Sequence, residues 1–241
     1  MEDRFAIDLT LVKRTLKKHV DLEDFTNAIG LFEAAASVLC ELTYDVIGSL
    51  DTLAEIHTDR VTAEKFSGAL MTHAVISYCR ATHSGGSARN PIGAGKYTAD
   101  QRKKHEKITD LRDKVIAHFG SPTKEYGLKW LDERATVRVG ADDENFKFSR
   151  RRAKYLGAAI ADLRELAPIA ADRAKVIRDE RAKALNELYL KHAADPRVVE
   201  AMAIRFDPND FFGPGPVADG YWDGDRDVSG EVPGPQRFES C

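Results

Sequence analysis

The chain has 241 residues, of which 43% are hydrophobic and 31% charged, with a formal net charge of −3. That is enough apolar content for a packed core and enough charge for a helix-rich surface. The three cysteines, Cys40, Cys79 and Cys241, are odd in number and far apart, and no Cys-x-x-Cys pair exists to hold zinc. A disulfide framework is therefore excluded, and neither a metal nor another cofactor is expected. The most apolar run, 34–40, is soon followed by Glu41 and Asp45, so no membrane span is expected. The opening Met1-Glu2-Asp3-Arg4 lacks the basic and apolar parts of a secretory signal, which points to the cytoplasm.

Charge is unevenly distributed. Residues 205–241 carry three Arg and Lys against eight Asp and Glu, which leaves 33 against 31 for residues 1–204. A mildly basic body with an acidic tail permits contact with RNA, although duplex binders are usually far more basic.

In chain order, Phe5, Leu9, Val12 and Leu16 recur at helical spacing and predict a helix over 4–20. Asp21 is placed to cap a long helix running to about His57, with Phe25, Ile29, Phe32, Ala36, Leu39 and Val46 on its apolar stripe. Gly30 and Gly48 weaken that helix or allow close packing. Thr62 reads as the next N-cap, opening a helix to about His83 that Ser84-Gly85-Gly86-Ser87 ends. Thr98 and Gln101 fit a capping box for a helix through Ile108, Leu111 and Val115, stopped by Gly120 and Pro122. Residues 134–149 alternate and predict a short β-hairpin. Helical spacing resumes from Ser149 to about Ala194, with a kink or split at Pro168 and a last short helix after Pro196. From Phe206 the chain is rich in Pro and Gly and acidic, which favours a disordered or partner-docked tail. Its aromatics, Phe206, Phe211, Phe212, Tyr221 and Trp222, are unusual for a linker and suit docking on this chain or on a partner. The expected division is N-terminal helices over 1–58, a helical bundle over 59–204 and the tail over 205–241.

The segment richest in chemistry is Ile108-Thr109-Asp110-Leu111-Arg112-Asp113-Lys114-Val115-Ile116-Ala117-His118. A histidine titrates near neutral pH and can take or give a proton, and an arginine grips phosphate oxygens as a bidentate fork. RNA brings its own nucleophile, the 2′-OH, so cleavage needs a proton acceptor, a proton donor and a cation, but no metal. In α-helical geometry the six-residue interval sets Arg112 and His118 about 120° apart around the axis and roughly 9 Å apart along it. One chain therefore does not bring the two groups to a single phosphate, whereas two such helices about a twofold axis would.

This string resembles the signature of the HEPN superfamily: Arg, a polar residue, a few more positions, then His at a helix end. The resemblance covers roughly residues 60–190 and is closest to abortive-infection and toxin-like members. It implies an all-α, up-and-down helical bundle, here with the hairpin inserted and extra N-terminal helices in front. It also implies a metal-independent endoribonuclease acting across a homodimer interface and leaving a 2′,3′-cyclic phosphate, in phage defence or as a toxin. By the resemblance His118 is general base or acid, Arg112 the phosphate stabiliser, and Asp113 the group that orients Arg112 or His118. Arg80 matches an Arg often found in the preceding helix, and His105 lies two turns before Arg112 on nearly the same face. Lys96, in the loop Gly93-Ala94-Gly95-Lys96, and Lys114 are further candidates for RNA contact. Arg150-Arg151-Arg152 reads as a solvated face or a contact for RNA or a partner. The expected partners are RNA, a second copy, and an antitoxin or defence protein. Phe119-Gly120 follows His118, so the Tyr that nucleotidyltransferase antitoxins modify in related toxins is absent. The alternative is a non-catalytic HEPN module that binds RNA, nucleotide or a partner protein in the same cleft.

Overall fold

The helical periodicity is realised along most of the chain in a computed structural model that describes residues 5–82, 97–116, 126, 131–139, 145–152 and 156–222. The first half runs β1 (Ala6–Ile7), α1 (Leu9–Leu16), a 3₁₀ turn (Val20–Leu22), α2 (Glu23–Cys40), a π-helical turn (Glu41–Ile47), α3 (Gly48–Ile56) and α4 (Arg60–Thr82). Next come α5 (Ala99–Asp110), a second π-helical turn (Leu111–Ile116), β2 (Leu131–Arg138) and β3 (Asn145–Arg152). The remainder is α6 (Gly157–His192), α7 (Pro196–Ala201), β4 (Arg205–Phe206), α8 (Pro208–Phe212) and α9 (Pro216–Gly220). The fold is mostly α, with the expected hairpin. The predicted loop over 84–95 and the helix stop at Gly120 and Pro122 lie outside the described residues.

Contacts divide the chain into two compact units, and not at residues 58 and 204 as the sequence suggests. The first unit takes the described residues up to Cys40 and those from Lys175 onward, and the second takes those between Glu41 and Ala174.

In the first unit, β1 and β4 pair antiparallel, Ala6 opposite Phe206 and Ile7 opposite Arg205. That pairing shortens the first helix from the predicted 4–20, because Asp8 becomes its cap and accepts a hydrogen bond from the Leu11 N–H at 2.9 Å. Val12, Leu16, Phe25, Ile29 and Val198 are at most 1% exposed and form the core of this unit. Each such side chain contributes about 1.5–3 kcal/mol relative to an exposed position. Residues 205–222, whose composition favours disorder but whose aromatics suit docking on this chain or on a partner, are folded on this chain. Phe206 lies 5.3 Å from Phe211 and 5.4 Å from Tyr221 between ring centroids, and Phe211 packs edge-on to Phe212 at 4.9 Å. Pro208 and Pro216 sit in the first turns of α8 and α9, where a missing N–H costs no helical bond. Ring-to-ring packing and strand pairing thus outweigh a composition that favours disorder.

The second unit is built on α4. Its Met71, Ala74, Val75 and Tyr78 are fully buried, as are Leu42 and Val46 of the first π turn. Asp59, not Thr62, starts this helix: its carboxylate accepts from the Val61 N–H at 3.0 Å and from the Thr62 hydroxyl. The start of α6 is tied in by the Leu156 N–H, which donates to Met71 Sδ at 3.3 Å, and by Arg164, which donates to the Leu50 carbonyl at 3.1 Å. The expected helix from Ser149 begins later, at Gly157, because residues up to Arg152 are held by cross-strand pairing. Pro168 does not end α6: Leu166 and Ala167 beside it are fully buried, and that packing sustains the helix past one missing hydrogen bond.

The expectation that no segment resembles a membrane span needs one correction. The helical stretch Val20–Ile56 contains an 18-residue window with mean hydropathy 1.3, and 44% of that window is buried inside the fold. A core helix of this length meets the same criterion, because its apolar stripe faces other helices.

Candidate active site

The helix that leads into the motif is set by local chemistry. Thr98 Oγ1 accepts from the Gln101 N–H at 3.3 Å while the Gln101 side chain accepts from the Thr98 N–H at 3.1 Å, the reciprocal capping box read from the sequence. Ile108 and Leu111, at 0% and 1% exposure, anchor α5 and its continuation in the core. The chain then widens into the π-helical turn Leu111–Ile116. Its i→i+5 bonding replaces the α-helical winding on which the 120° and 9 Å interval was based, so that arithmetic does not hold across these residues.

Arg112 and Asp113 both sit on this turn. The Arg112 guanidinium donates to Asp113 Oδ1 at 2.5 Å, and the two side chains are 45% and 44% exposed. The hydrogen bond to Asp113 raises the Arg112 pKa further above its ordinary value, so the cation is permanent. Close behind lies Cys79 of α4, whose thiol donates to the Ile108 carbonyl at 3.8 Å. Burial pushes Cys79 up to about 12, with Arg112 drawing it down and Asp113 raising it. At neutral pH Cys79 stays a thiol and offers no nucleophile.

Arg80, one residue further along α4, is engaged by the first π turn. Its Nε lies 2.7 Å from Glu41 Oε1 and its terminal nitrogen 3.8 Å from Asp45 Oδ2; His73 Nε2 stands 3.9 Å from Asp45 Oδ1. Glu41 is 8% exposed whereas Arg80 is 51% exposed, so the guanidinium reaches from the surface to a buried carboxylate. Ser77, three residues before Arg80 on α4, is buried.

His105 is in the core, at 6% exposure. Tyr78 Oη lies 3.0 Å from His105 Nδ1 and 3.0 Å from Tyr97 Oη, so one hydroxyl links both neighbours. The rings of Tyr78 and Tyr97 pack on the imidazole at 5.7 and 5.6 Å. Burial raises the pKa of both tyrosines, keeping them neutral. The sequence pointed to neither tyrosine, nor to Glu41 and Asp45; alternation of polar and apolar residues along a helix carries no sign of which polar atom will meet which.

The structure thus brings Arg112 and Asp113 together, sets Arg80 against acidic residues of the first π turn, and buries His105. His118 and Lys96 lie outside the described residues, as does the side chain of Lys114. Comparison of the chain with protein-family models, with curated proteins and with solved structures returns no match.

Proposed function

We propose that this chain is a metal-independent endoribonuclease of the HEPN type, acting in the cytoplasm as a toxin or phage-defence effector. The observation that carries the reading is the half-exposed Arg112–Asp113 pair, held on a π turn after a capped helix and six residues before His118. π turns inside helices occur often at functional sites, and an exposed guanidinium is suited to a phosphate. In the reaction His118 of one copy takes the 2′-OH proton, and the freed oxygen attacks the adjacent phosphorus. The P–O5′ bond breaks, and His118 of the second copy returns a proton to the leaving 5′-oxygen. Arg112 balances the charge that grows on the phosphate, and Asp113 holds its fork in place. The products are a 2′,3′-cyclic phosphate and a 5′-hydroxyl.

A second reading, a non-catalytic module that binds RNA, nucleotide or a partner protein, is favoured by one detail: Asp113 already occupies part of the Arg112 fork. The two readings separate when total RNA is incubated with the full chain in EDTA. Cleavage that ends in cyclic phosphates, and that His118→Ala abolishes, supports the enzyme. Binding by the wild type without any cleavage supports the module.

A further inference from the structure

The hairpin β2–β3 is an antiparallel ribbon with two unlike faces. Its register sets Ala135 opposite Phe148, Val137 opposite Phe146 and Glu133 opposite Arg150 on one face. Asp132 opposite Arg151, Arg134 opposite Ser149 and Thr136 opposite Lys147 make the other. On the first face Phe146 is 89% exposed, Phe148 67% and Val137 46%. A two-stranded ribbon is marginal in water, and presenting two phenyl rings to solvent adds to the cost, so the rings need an occupant. Charge says which kind. The strands hold six Arg and Lys against two Asp and Glu, in a chain whose net charge is −3. Glu133 is taken up by Arg150 at 3.4 Å, and Asp132 by Arg134 at 3.4 Å and Arg151 at 3.7 Å. Arg138 and Lys147 remain exposed, with no acidic partner among the described residues.

We infer that this ribbon is a binding arm for single-stranded RNA, with bases stacked on Phe146 and Phe148 and the phosphates running past Arg150 on the same face, while Arg138 and Lys147 on the opposite face add to the positive field that draws the strand in. Two residues along a strand advance ~6.8 Å, so the two rings stand about that far apart. Bases stacked in a duplex are only ~3.4 Å apart. Neighbouring bases therefore meet both rings only when they are unstacked and the strand is extended, which selects single strands over duplex. Stacking on a ring tolerates any base, so recognition is by strandedness more than by sequence. This arm supplies substrate binding to the ribonuclease reading and rests on it for its biological role, but its binding is measured independently of cleavage.

The test is the fluorescence anisotropy of a labelled 12-nucleotide oligouridine titrated with full-length His118→Ala protein, which holds RNA without cutting it. Phe146→Leu and Phe148→Leu keep the apolar surface but remove the π-face, and each should weaken binding about tenfold. Phe146→Trp should bind at least as well as the parent. Lys147→Glu with Arg138→Glu should weaken binding and flatten its dependence on salt. A duplex of the same length should bind more weakly than the single strand. Unchanged affinity in both Leu variants overturns the arm, and so does a shift from dimer to monomer in sedimentation with RNA affinity intact, which would mark the face as a contact between copies. If wild-type protein never cleaves RNA while the Leu variants lose binding, the arm stands and the nuclease reading falls. If cleavage proceeds with unaltered KM in the Leu variants, the reverse holds.

Discussion

Each π-helical turn described in the second unit carries a carboxylate paired with an arginine, Arg80 of α4 at the first and Arg112 of the turn itself at the second, and the two carboxylates differ in burial. At the first, Arg80 reaches Glu41 at 2.7 Å, and the carboxylate is 8% exposed. At the second, Arg112 meets Asp113 at 2.5 Å, with both groups close to half exposed. A buried carboxylate must keep its partner or be left with an uncompensated charge, so the first pair is committed to the fold. An exposed pair gains little net energy over its hydrated components, and with Asp113 on one terminal nitrogen the Arg112 fork can turn its other N–H groups to a second anion at small cost. The same chemistry thus serves stability in one place and stands available for a phosphate in the other, and burial decides which.

The comparison breaks if Arg112 proves structural or Arg80 dispensable. The largest expected effect is on activity: Arg112→Ala should lower RNA cleavage about a hundredfold, the loss typical of removing one charge-stabilising donor, with the melting temperature nearly unmoved. Arg80→Ala should do the opposite. Taking the Arg80 cation away from the buried Glu41 carboxylate should cost about 2 kcal/mol, which at this chain length lowers the melting temperature by about 4–8 °C. Adding Glu41→Gln to Arg80→Ala should restore part of that loss, because a neutral amide tolerates burial without a cation. Thermal scans beside cleavage assays on the folded protein read both effects, and an Arg80→Ala protein that melts like the wild type would dissolve the distinction.

What was legible in the sequence follows the range of the interactions involved. The Thr98–Gln101 capping box was readable because all its atoms lie within four residues. Asp59 and Thr62 are both cap-forming types three positions apart, and the choice between them depends on where the backbone turns, which composition does not encode. The π turns have no compositional mark, so the α-helical arithmetic applied from Arg112 onward missed the change of winding that begins at Leu111. The folding of residues 205–222 depends on Ala6 meeting Phe206, a contact from the far end of the chain that no local window contains. The Arg112–Asp113 string was legible because its residues are neighbours in the chain, but their contact was not legible from spacing, since adjacent side chains in a helix do not ordinarily face each other.

The core cluster at His105 sharpens the contrast at an intermediate magnitude. Tyr78→Phe removes the hydroxyl that serves both His105 Nδ1 and Tyr97 Oη, leaving two buried polar atoms without that partner. The expected cost is about 1–2 kcal/mol, with cleavage per folded molecule unchanged. A selective loss of cleavage at unaltered melting temperature would instead give this cluster a part in the site.

The smallest effect concerns an exposed ion pair with no proposed role in RNA chemistry, which isolates what exposure alone does. In the first unit Asp24 accepts from Lys191 Nζ at 2.7 Å and stands 3.1 Å from His192 Nε2. The hydrogen bond from Lys191 is the main cause, with His192 adding to it, that holds the Asp24 carboxyl at about 2, below its ordinary value. A carboxyl depressed on folding stabilises the protein above its unfolded pKa, and that contribution disappears as pH falls through the folded value. Wild type should therefore exceed Asp24→Asn in melting temperature by a constant margin above pH ~4, and the margin should close by pH ~2. Because Asp24 and Lys191 are 38% and 61% exposed, solvent screening should keep that margin within about 1 kcal/mol. A margin that persists at the acid end would mean that Asp24 acts through packing and not charge. One well above this limit would mean that exposed pairs in this fold carry more stability than the contrast between Arg80 and Arg112 allows.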